Sequence, residues 1–121
     1  MKGFKEIKKL NSKGKENESK LILDLAIRNH KKGNISKAEE EYKKYLKKGF
    51  KNLQVFSNLA IIYISTNRFE PAISLLKETI NLYPKDINSY FNLGKLYKNL
   101  KQIKNSIYIL EQGLKFDPNN S

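Results

Sequence analysis

The sequence predicts an all-α fold, a solenoid of three helix-turn-helix repeats with six helices. Two observations support this prediction. Apolar residues recur at i, i+3, i+4 and i+7, which is the spacing of one face of a helix. The pattern returns every 34 residues without an insertion, and each copy is followed by a turn and a second helical pattern. The repeating unit is therefore a pair of helices.

The period divides the chain into a tail and three units, which are residues 1–18, 19–52, 53–86 and 87–120. The tail has six lysines, three glutamates and few apolar residues. Such a composition cannot bury enough surface to offset chain entropy, so we expect a disordered basic tail. The six helices are expected at residues 20–32, 35–48, 53–66, 69–82, 87–100 and 103–116.

The first helices of the second and third units share one pattern, in which a large residue is followed by Leu, a small residue and Tyr. These residues are Phe56, Leu59, Ala60 and Tyr63, then Tyr90, Leu93, Gly94 and Tyr97. The first unit begins the pattern with Ile22, Leu25 and Ala26 but has Asn29 in place of Tyr. Glycine inside a helix costs about 1 kcal/mol relative to alanine. We therefore interpret Gly94 as a point where the second helix of its unit approaches closely.

The second helices carry a small residue followed by a large one, and prolines close the last two units. These residues are Ala72, Leu76 and Pro84 in the second unit, and Ser106, Leu110 and Pro118 in the third. The combined pattern resembles the tetratricopeptide repeat (TPR). The first unit is divergent, and ends with Phe50 where the family usually has proline. The resemblance implies a right-handed superhelix whose first helices line a concave, peptide-binding groove.

The sequence also resembles short TPR proteins of marine picocyanobacteria such as Prochlorococcus. The similarity lies in the lysine-rich N-terminal segment beginning MKGF and in the segments NISKAEEEYKKYLKKGF and VFSNLAIIY. In that group such arrays often precede a glycosyltransferase, sulfotransferase or methyltransferase domain. An alternative interpretation is therefore an N-terminal docking module of a truncated or split transferase, although the sequence contains no transferase segment.

No constellation of residues in the sequence predicts catalysis. His30 is the only histidine and there is no cysteine, so a zinc site would need clustered carboxylates, and none recurs at ligand spacing. The glycines are isolated and form no phosphate-binding loop. We therefore predict that the chain is not an enzyme and uses no cofactor or metal. His30 is expected to be a solvated residue at a helix end.

The net charge of +12 at pH 7 suggests a third interpretation, a basic adaptor for nucleic acid or an anionic membrane surface. The charge is concentrated in the first unit, with +6 on residues 19–52 and zero on residues 53–86. Only Arg28 and Arg68 are arginines, and no arginine and aromatic residues alternate, so nucleic acid is disfavoured as a partner. No apolar run is long enough for a membrane span, and the N-terminus lacks a secretory h-region. A cytoplasmic location is expected.

A candidate groove follows from helix geometry, because residues opposite the packed stripe can be placed at 100° per residue. The groove residues of the second and third units are Gln54, Asn58, Ile61, Asn88, Asn92, Lys95, Lys98 and Asn99. Asn58 and Asn92 hold the same place in successive units, and an amide can both donate to and accept from a peptide backbone. This pair resembles the asparagine ladder in the TPR region of protein O-linked N-acetylglucosamine transferases.

TPR domains of co-chaperones hold the C-terminal carboxylate of heat-shock proteins with a clamp of basic and amide residues. The matching positions in this sequence are Leu23, Ile27, Asn58, Asn88 and Asn92. Only Asn58 has the residue type of the clamp, and the required lysines and arginine are missing. Capture of chaperone C-terminal tails is therefore disfavoured.

The sequence thus predicts a non-catalytic protein–protein interaction scaffold that binds an extended peptide in the concave groove. The groove combines lysines with neutral amides, so the peptide is expected to be acidic. The last predicted helix carries more apolar residues than one contact face uses. We therefore expect this end to self-associate, or to dock on a partner or a downstream domain.

Overall fold

The computed structural model of the chain describes residues 3–117 and 119. Over these residues it contains six α-helices and no β-strand. The helices are α1 (Phe4–Lys31), α2 (Ile35–Lys47), α3 (Leu53–Ser65), α4 (Phe69–Leu82), α5 (Ile87–Asn99) and α6 (Ile103–Leu114). They form two compact units, residues 1–51 with α1 and α2, and residues 52–121 with α3 to α6. Helices α2 to α6 each begin at the predicted residue, which confirms the all-α class.

Helix α1 is longer than predicted, because it begins at Phe4. Over residues 4–18 the structure is therefore helical, whereas a disordered tail was expected there. The packed segment from Ile22 onward nucleates the helix, and each further residue then adds a backbone hydrogen bond at little cost. An ion pair between Glu18 and Lys48 also ties this part of α1 to the end of α2. Composition could not indicate the difference, because Lys and Glu favour both disorder and helix.

The unit formed by α1 and α2 packs small residues where the two helices meet. Ala26, Ala38 and Tyr42 are all fully buried. His30 is half-buried, and its Nδ1 lies 3.0 Å from the Tyr42 hydroxyl. The prediction of a solvated His30 is therefore wrong, because the tyrosine of α2 reaches the end of α1.

Asn29, which replaces the tyrosine of the other two units, is buried in α1. Its Nδ2 donates to the Leu25 carbonyl at 3.0 Å, and its Oδ1 accepts from Nδ2 of Asn34 at 3.4 Å. These bonds satisfy the buried amide locally. The divergent first unit thus uses hydrogen bonds at a position where the others use an aromatic ring.

In the third repeat the predicted small residue Gly94 lies where α5 and α6 cross. A Cβ added at Gly94 would be 2.5 Å from Cδ2 and 2.6 Å from Cγ of Leu110. The Ser106 hydroxyl donates to the Gly94 carbonyl at 2.8 Å, so α6 also holds this point through a buried hydrogen bond. The structure therefore supports the interpretation of Gly94 as a close approach of two helices.

Gly113 marks a second close approach between the same helices, which the sequence did not indicate. A Cβ at Gly113 would lie 2.6 Å from Cβ of Tyr90. The Tyr90 hydroxyl donates to the Pro84 carbonyl at 2.7 Å, and its ring centroid lies 6.0 Å from that of Phe116. Burial raises the pKa of the Tyr90 hydroxyl. Tyr90 therefore joins the end of the second repeat to two parts of the third.

The turn inside each helix pair contains a left-handed residue at the same register. Gly33, Asn67 and Lys101 have φ values of +83°, +60° and +62°. Glycine and asparagine adopt this conformation readily, whereas a lysine brings its Cβ close to the backbone. The turn predicted inside each helix pair is therefore confirmed, and the third turn contains a strained residue.

Replacing this residue, Lys101→Gly, is expected to stabilise the chain by about 0.5–1 kcal/mol, because glycine relieves the left-handed strain but also loses more entropy on folding. The readout is the melting temperature followed by circular dichroism. Lys104→Gly, in the first turn of α6, is the matched control and is expected to leave the melting temperature unchanged or lower it. A lower melting temperature for Lys101→Gly would show that this turn carries no strain.

Most of the predicted signature residues are buried. The buried set comprises Phe56, Leu59, Ala60, Ala72, Leu76, Tyr90, Leu93, Gly94, Tyr97 and Ser106. Tyr63 and Leu110 are half-buried, and Pro84 is exposed in the turn between α4 and α5. Pro118 lies outside the described residues. The pattern therefore reports helix packing rather than a site.

Candidate functional site

The compact unit of residues 52–121 contains a cavity between α3 and α5. Its volume is about 350 Å³, within the range of about 300–1,000 Å³ that is usual for ligand pockets. The lining residues are Ile61, Ile64, Ser65, Phe69, Asn92, Lys95, Leu96 and Asn99. A space of this size accommodates a large side chain together with part of the backbone that carries it.

The cavity combines an apolar wall with a polar mouth. Leu96 is buried, and the Ile61 side chain is 50% exposed, so apolar surface is available to a ligand. The amides of Asn92 and Asn99 and the ammonium group of Lys95 lie beside it, and Lys95 and Asn99 are exposed. An amide both donates and accepts hydrogen bonds, whereas an ammonium group only donates them. These groups can bind an apolar side chain, a peptide backbone and a carboxylate.

The structure brings together half of the predicted groove residues. Ile61, Asn92, Lys95 and Asn99 line the cavity. Gln54, Asn58, Asn88 and Lys98 do not line it. The first turns of α3 and α5 hold Gln54 and Asn88, whereas the cavity lies at the opposite ends of these helices. Asn58 is half-buried one turn before the cavity, so the proposed pairing of Asn58 with Asn92 stays a prediction.

Three apolar lining residues were missed by sequence reasoning, namely Ile64, Phe69 and Leu96. Their pattern is that of core residues, and an apolar residue that faces a cavity looks the same in sequence as one that faces a helix. A signal was present in Ile61, which takes the same repeat position as Lys95. An isoleucine at a position that is otherwise polar indicates an apolar surface outside the core.

The electrostatic character of the cavity is positive. Lys95 is the charged residue in its lining, and Lys98 is exposed one turn further along α5. In the described part of the chain, no three His, Asp or Glu side chains are grouped as a metal site requires. Nor does any helix within the described ranges have the length and apolar character needed to cross a membrane.

Two family models match the chain, and both describe the tetratricopeptide repeat. One matches residues 54–86, which hold α3 and α4, and the other matches residues 87–120, which hold α5 and α6. No curated protein matches the sequence significantly.

Solved structures share the fold. MamA AMB-1 is 25% identical, with a TM-score of 0.74 over 84% of this chain and 55% of that chain. The second TPR of Spaghetti (RPAP3), solved bound to the HSP90 peptide SRMEEVD, is 18% identical, with a TM-score of 0.75 over 93% and 98% of the two chains. The Arabidopsis OM64 TPR domain is also 18% identical, with a TM-score of 0.71 over 85% of each chain.

These likenesses differ in what they support. The two structures at 18% identity show the fold alone. The chain spans about half the length of the MamA structures, 55% in the case of MamA AMB-1. The two family matches together cover residues 54–120, which is more than half of the 121 residues. These residues hold the helices α3 to α6. The chain therefore belongs to the tetratricopeptide repeat family.

Proposed function

We propose that the chain is a non-catalytic scaffold that binds an extended acidic peptide, with a large apolar side chain of the peptide in the cavity between α3 and α5. The observation that carries this proposal is the combination of half-exposed Ile61 with the amides of Asn92 and Asn99 and the charge of Lys95. The solved TPR of Spaghetti (RPAP3) with a bound peptide supports it as a general mode of binding for the fold.

The apolar wall supplies most of the affinity. Burying a Leu, Ile, Phe or Met side chain contributes roughly 1.5–3 kcal/mol when the whole side chain leaves water. Ile61 loses exposed surface at the same time, which adds to the gain. A peptide with a leucine, isoleucine, methionine or phenylalanine at one position should therefore bind better than the same peptide with alanine.

The amides hold the backbone of the peptide. Asn92 lies in the cavity, and Asn58 takes the same repeat position in α3. A side-chain amide can pair with a peptide N–H and C=O without reading the neighbouring side chain. Each net hydrogen bond contributes about 0.5–1.5 kcal/mol. The pair therefore sets the direction and register of the peptide.

Lys95 supplies the preference for acidic residues. Lys95 is exposed and lines the cavity, so the attraction of its ammonium group for a carboxylate is screened by salt. Charges of this kind affect the rate of association more than the final affinity. An acidic residue next to the apolar anchor should therefore speed up binding at low salt.

The test begins with a peptide array, and the strongest sequence is titrated against variants of the full chain. Asn58→Ala combined with Asn92→Ala is expected to weaken binding roughly tenfold or more, because two hydrogen bonds are lost. Lys95→Glu is expected to slow association and to reduce its salt dependence. Ile61→Ser is expected to remove the preference for a large apolar residue, because it replaces the exposed wall of the cavity.

Matched controls lie on α4, outside the cavity. Lys77→Glu makes the same charge change as Lys95→Glu on an exposed residue, and Asn81→Ala removes an exposed amide. Both controls should bind like the unaltered chain. If the double alanine variant and Ile61→Ser keep their fold and full affinity, the peptide does not bind in this cavity and the proposal is wrong.

A further inference from the structure

Helix α6 exposes an apolar face that its own helix pair does not cover. Ser106 points toward α5, as its hydrogen bond to Gly94 shows. Ile107 is one residue further along, and therefore about 100° further round the helix. Its side chain is 52% exposed. The α6 face consists of Ile103, Ile107 and Leu114, all of which are exposed.

Helix α4 has the same face in the preceding repeat, made of Phe69, Ile73 and Ile80, and there Ile73 is buried and the other two are half-buried. Ala72 and Ile73 take the positions of Ser106 and Ile107, and both are buried, with Ile73 only 8% exposed. Ile73 is buried and Ile107 is exposed because α5 follows α4 along the chain and packs against it, whereas no described helix follows α6. The cover that fits this face is therefore a helix with the pattern of α5.

The surface of α5 turned toward α4 can be identified in the same way. Tyr90 and Gly94 face α6, since they meet Gly113 and Leu110. The residue before each of them lies about 100° away in the other direction. These residues are Ser89 and Leu93, and both are buried.

Helix α1 presents the matching surface uncovered. Ile22 and Ala26 take the positions of Tyr90 and Gly94 and are buried, as expected for the side facing α2. Leu21 and Leu25, which take the positions of Ser89 and Leu93, are 69% and 40% exposed. The α1 face, Leu21 and Leu25, is thus an unoccupied copy of the surface that covers α4.

We propose that the chain self-associates head to tail, with the α6 face of one copy packed on the α1 face of the next copy. The packing of α4 on α5 within one chain is the pattern for this contact. The contact joins two different surfaces, so it does not close after two copies as a two-fold dimer would. It leaves one α1 face and one α6 face free at the ends, and larger species form as the concentration rises.

Charge makes this association depend on salt in a definite direction. Each copy carries a net charge of +12, so two copies repel each other. The side chains of the two faces are apolar, so the contact between the faces is not weakened by screening. Raising the salt to about 0.5 M shortens the Debye length well below the roughly 10 Å found at 0.1 M. Association should therefore become stronger as salt is added.

The experiment is sedimentation velocity of the full chain at high micromolar concentration, at low and at high salt. The unaltered chain should form species larger than a monomer, in greater amount at high salt. Ile107→Lys blocks one face and Leu21→Lys blocks the other, and both residues are already exposed, so folding should be unaffected. The self-association constant of each variant alone should fall about tenfold or more. Each variant alone should therefore sediment mainly as a monomer.

A mixture of the two variants separates a head-to-tail contact from other arrangements. Ile107→Lys keeps its α1 face and Leu21→Lys keeps its α6 face, so together they should form a one-to-one dimer that stops there. Tyr108→Lys is the matched control. Tyr108 is 63% exposed on α6, but its counterpart Ser74 is exposed on α4, so this position lies outside the contact. Tyr108→Lys should associate like the unaltered chain.

Three results would overturn the proposal. The first is a clean monomer for the unaltered chain at both salt concentrations. The second is self-association of Leu21→Lys alone, which would indicate pairing of α6 with α6. The third is a mixture of the two variants that stays monomeric while each variant melts at the same temperature as the unaltered chain.

Discussion

Tyr90→Ala is expected to lower the free energy of unfolding by about 3–5 kcal/mol, the cost of truncating a large buried aromatic residue. The side chain is buried against Gly113, whose Cα would carry a Cβ only 2.6 Å from that of Tyr90. Removing the ring leaves a void that the neighbouring backbone cannot fill, because α5 and α6 are already held together at Gly94. We expect the melting temperature to fall by at least about 10 °C.

Tyr90→Phe separates the packing of the ring from its hydrogen bond. The phenylalanine keeps the contacts with Gly113 and Phe116 but leaves the Pro84 carbonyl without its donor. The loss should be about 0.5–1.5 kcal/mol, well below that of the alanine variant. Thermal melting followed by circular dichroism measures both. Equal losses for the two variants would show that the hydrogen bond, and not the ring, holds the third repeat together.

Most of the fold could be predicted because the repeat imposes two independent signals at one spacing. The apolar stripe places each helix, and the left-handed turn residues at Gly33, Asn67 and Lys101 place the break between helices. Each signal alone is ambiguous. An apolar stripe does not show at which residue a helix begins or ends, and a turn residue does not show whether helices flank it. Together they located the first residues of α2, α4 and α6, and the 34-residue period then placed the first residues of α3 and α5.

Helix α1 could not be predicted in full, because the sequence before residue 19 lacks a stripe on which to base a helix. The helix continues from the neighbouring packed segment, and the ion pair between Glu18 and Lys48 joins residues 30 positions apart. Local composition contains no information about either. His30 illustrates the same limit, since its partner Tyr42 lies on the next helix.

Helix position placed part of the cavity lining, and the use of these residues as a binding site stays a prediction. Helix geometry placed Asn92, Lys95 and Asn99 on one face, and all three line the cavity. It could not show that Leu96 and Phe69 approach the same space, because burial against a helix and exposure to a cavity give the same apolar pattern. The apolar anchor in the proposed peptide therefore depends on the structure alone.

The equivalence of repeat positions links the site to the proposed self-association. Ile61 and Ile107 are both half-exposed isoleucines, yet each departs from its repeat for a different reason. Ile61 stands where the next unit has exposed Lys95, so its exposure belongs to the groove. Ile107 stands where the preceding unit has buried Ile73, so its exposure reflects a missing cover. The two surfaces should therefore respond independently to substitution.

Gly94→Leu is expected to destabilise the chain by overpacking the crossing of α5 and α6, at a cost on the order of 1–3 kcal/mol or more. Even the Cβ of the new side chain would lie 2.5 Å from Cδ2 of Leu110, and its remaining carbons need space that the crossing lacks. If the helices move apart to admit it, the hydrogen bond from Ser106 to the Gly94 carbonyl is lost as well.

Helix propensity acts in the opposite direction at Gly94, since leucine is better than glycine in a helix by almost 1 kcal/mol. Gly14→Leu measures that gain alone, because Gly14 lies in α1 with no atom within 4 Å of an added Cβ. We expect Gly14→Leu to melt slightly higher than the unaltered chain and Gly94→Leu to melt clearly lower. Gly94→Ala should fall between the two, since Ala60 fits the equivalent position of α3. A melting temperature for Gly94→Leu at or above that of the unaltered chain would mean that α5 and α6 do not cross at this residue.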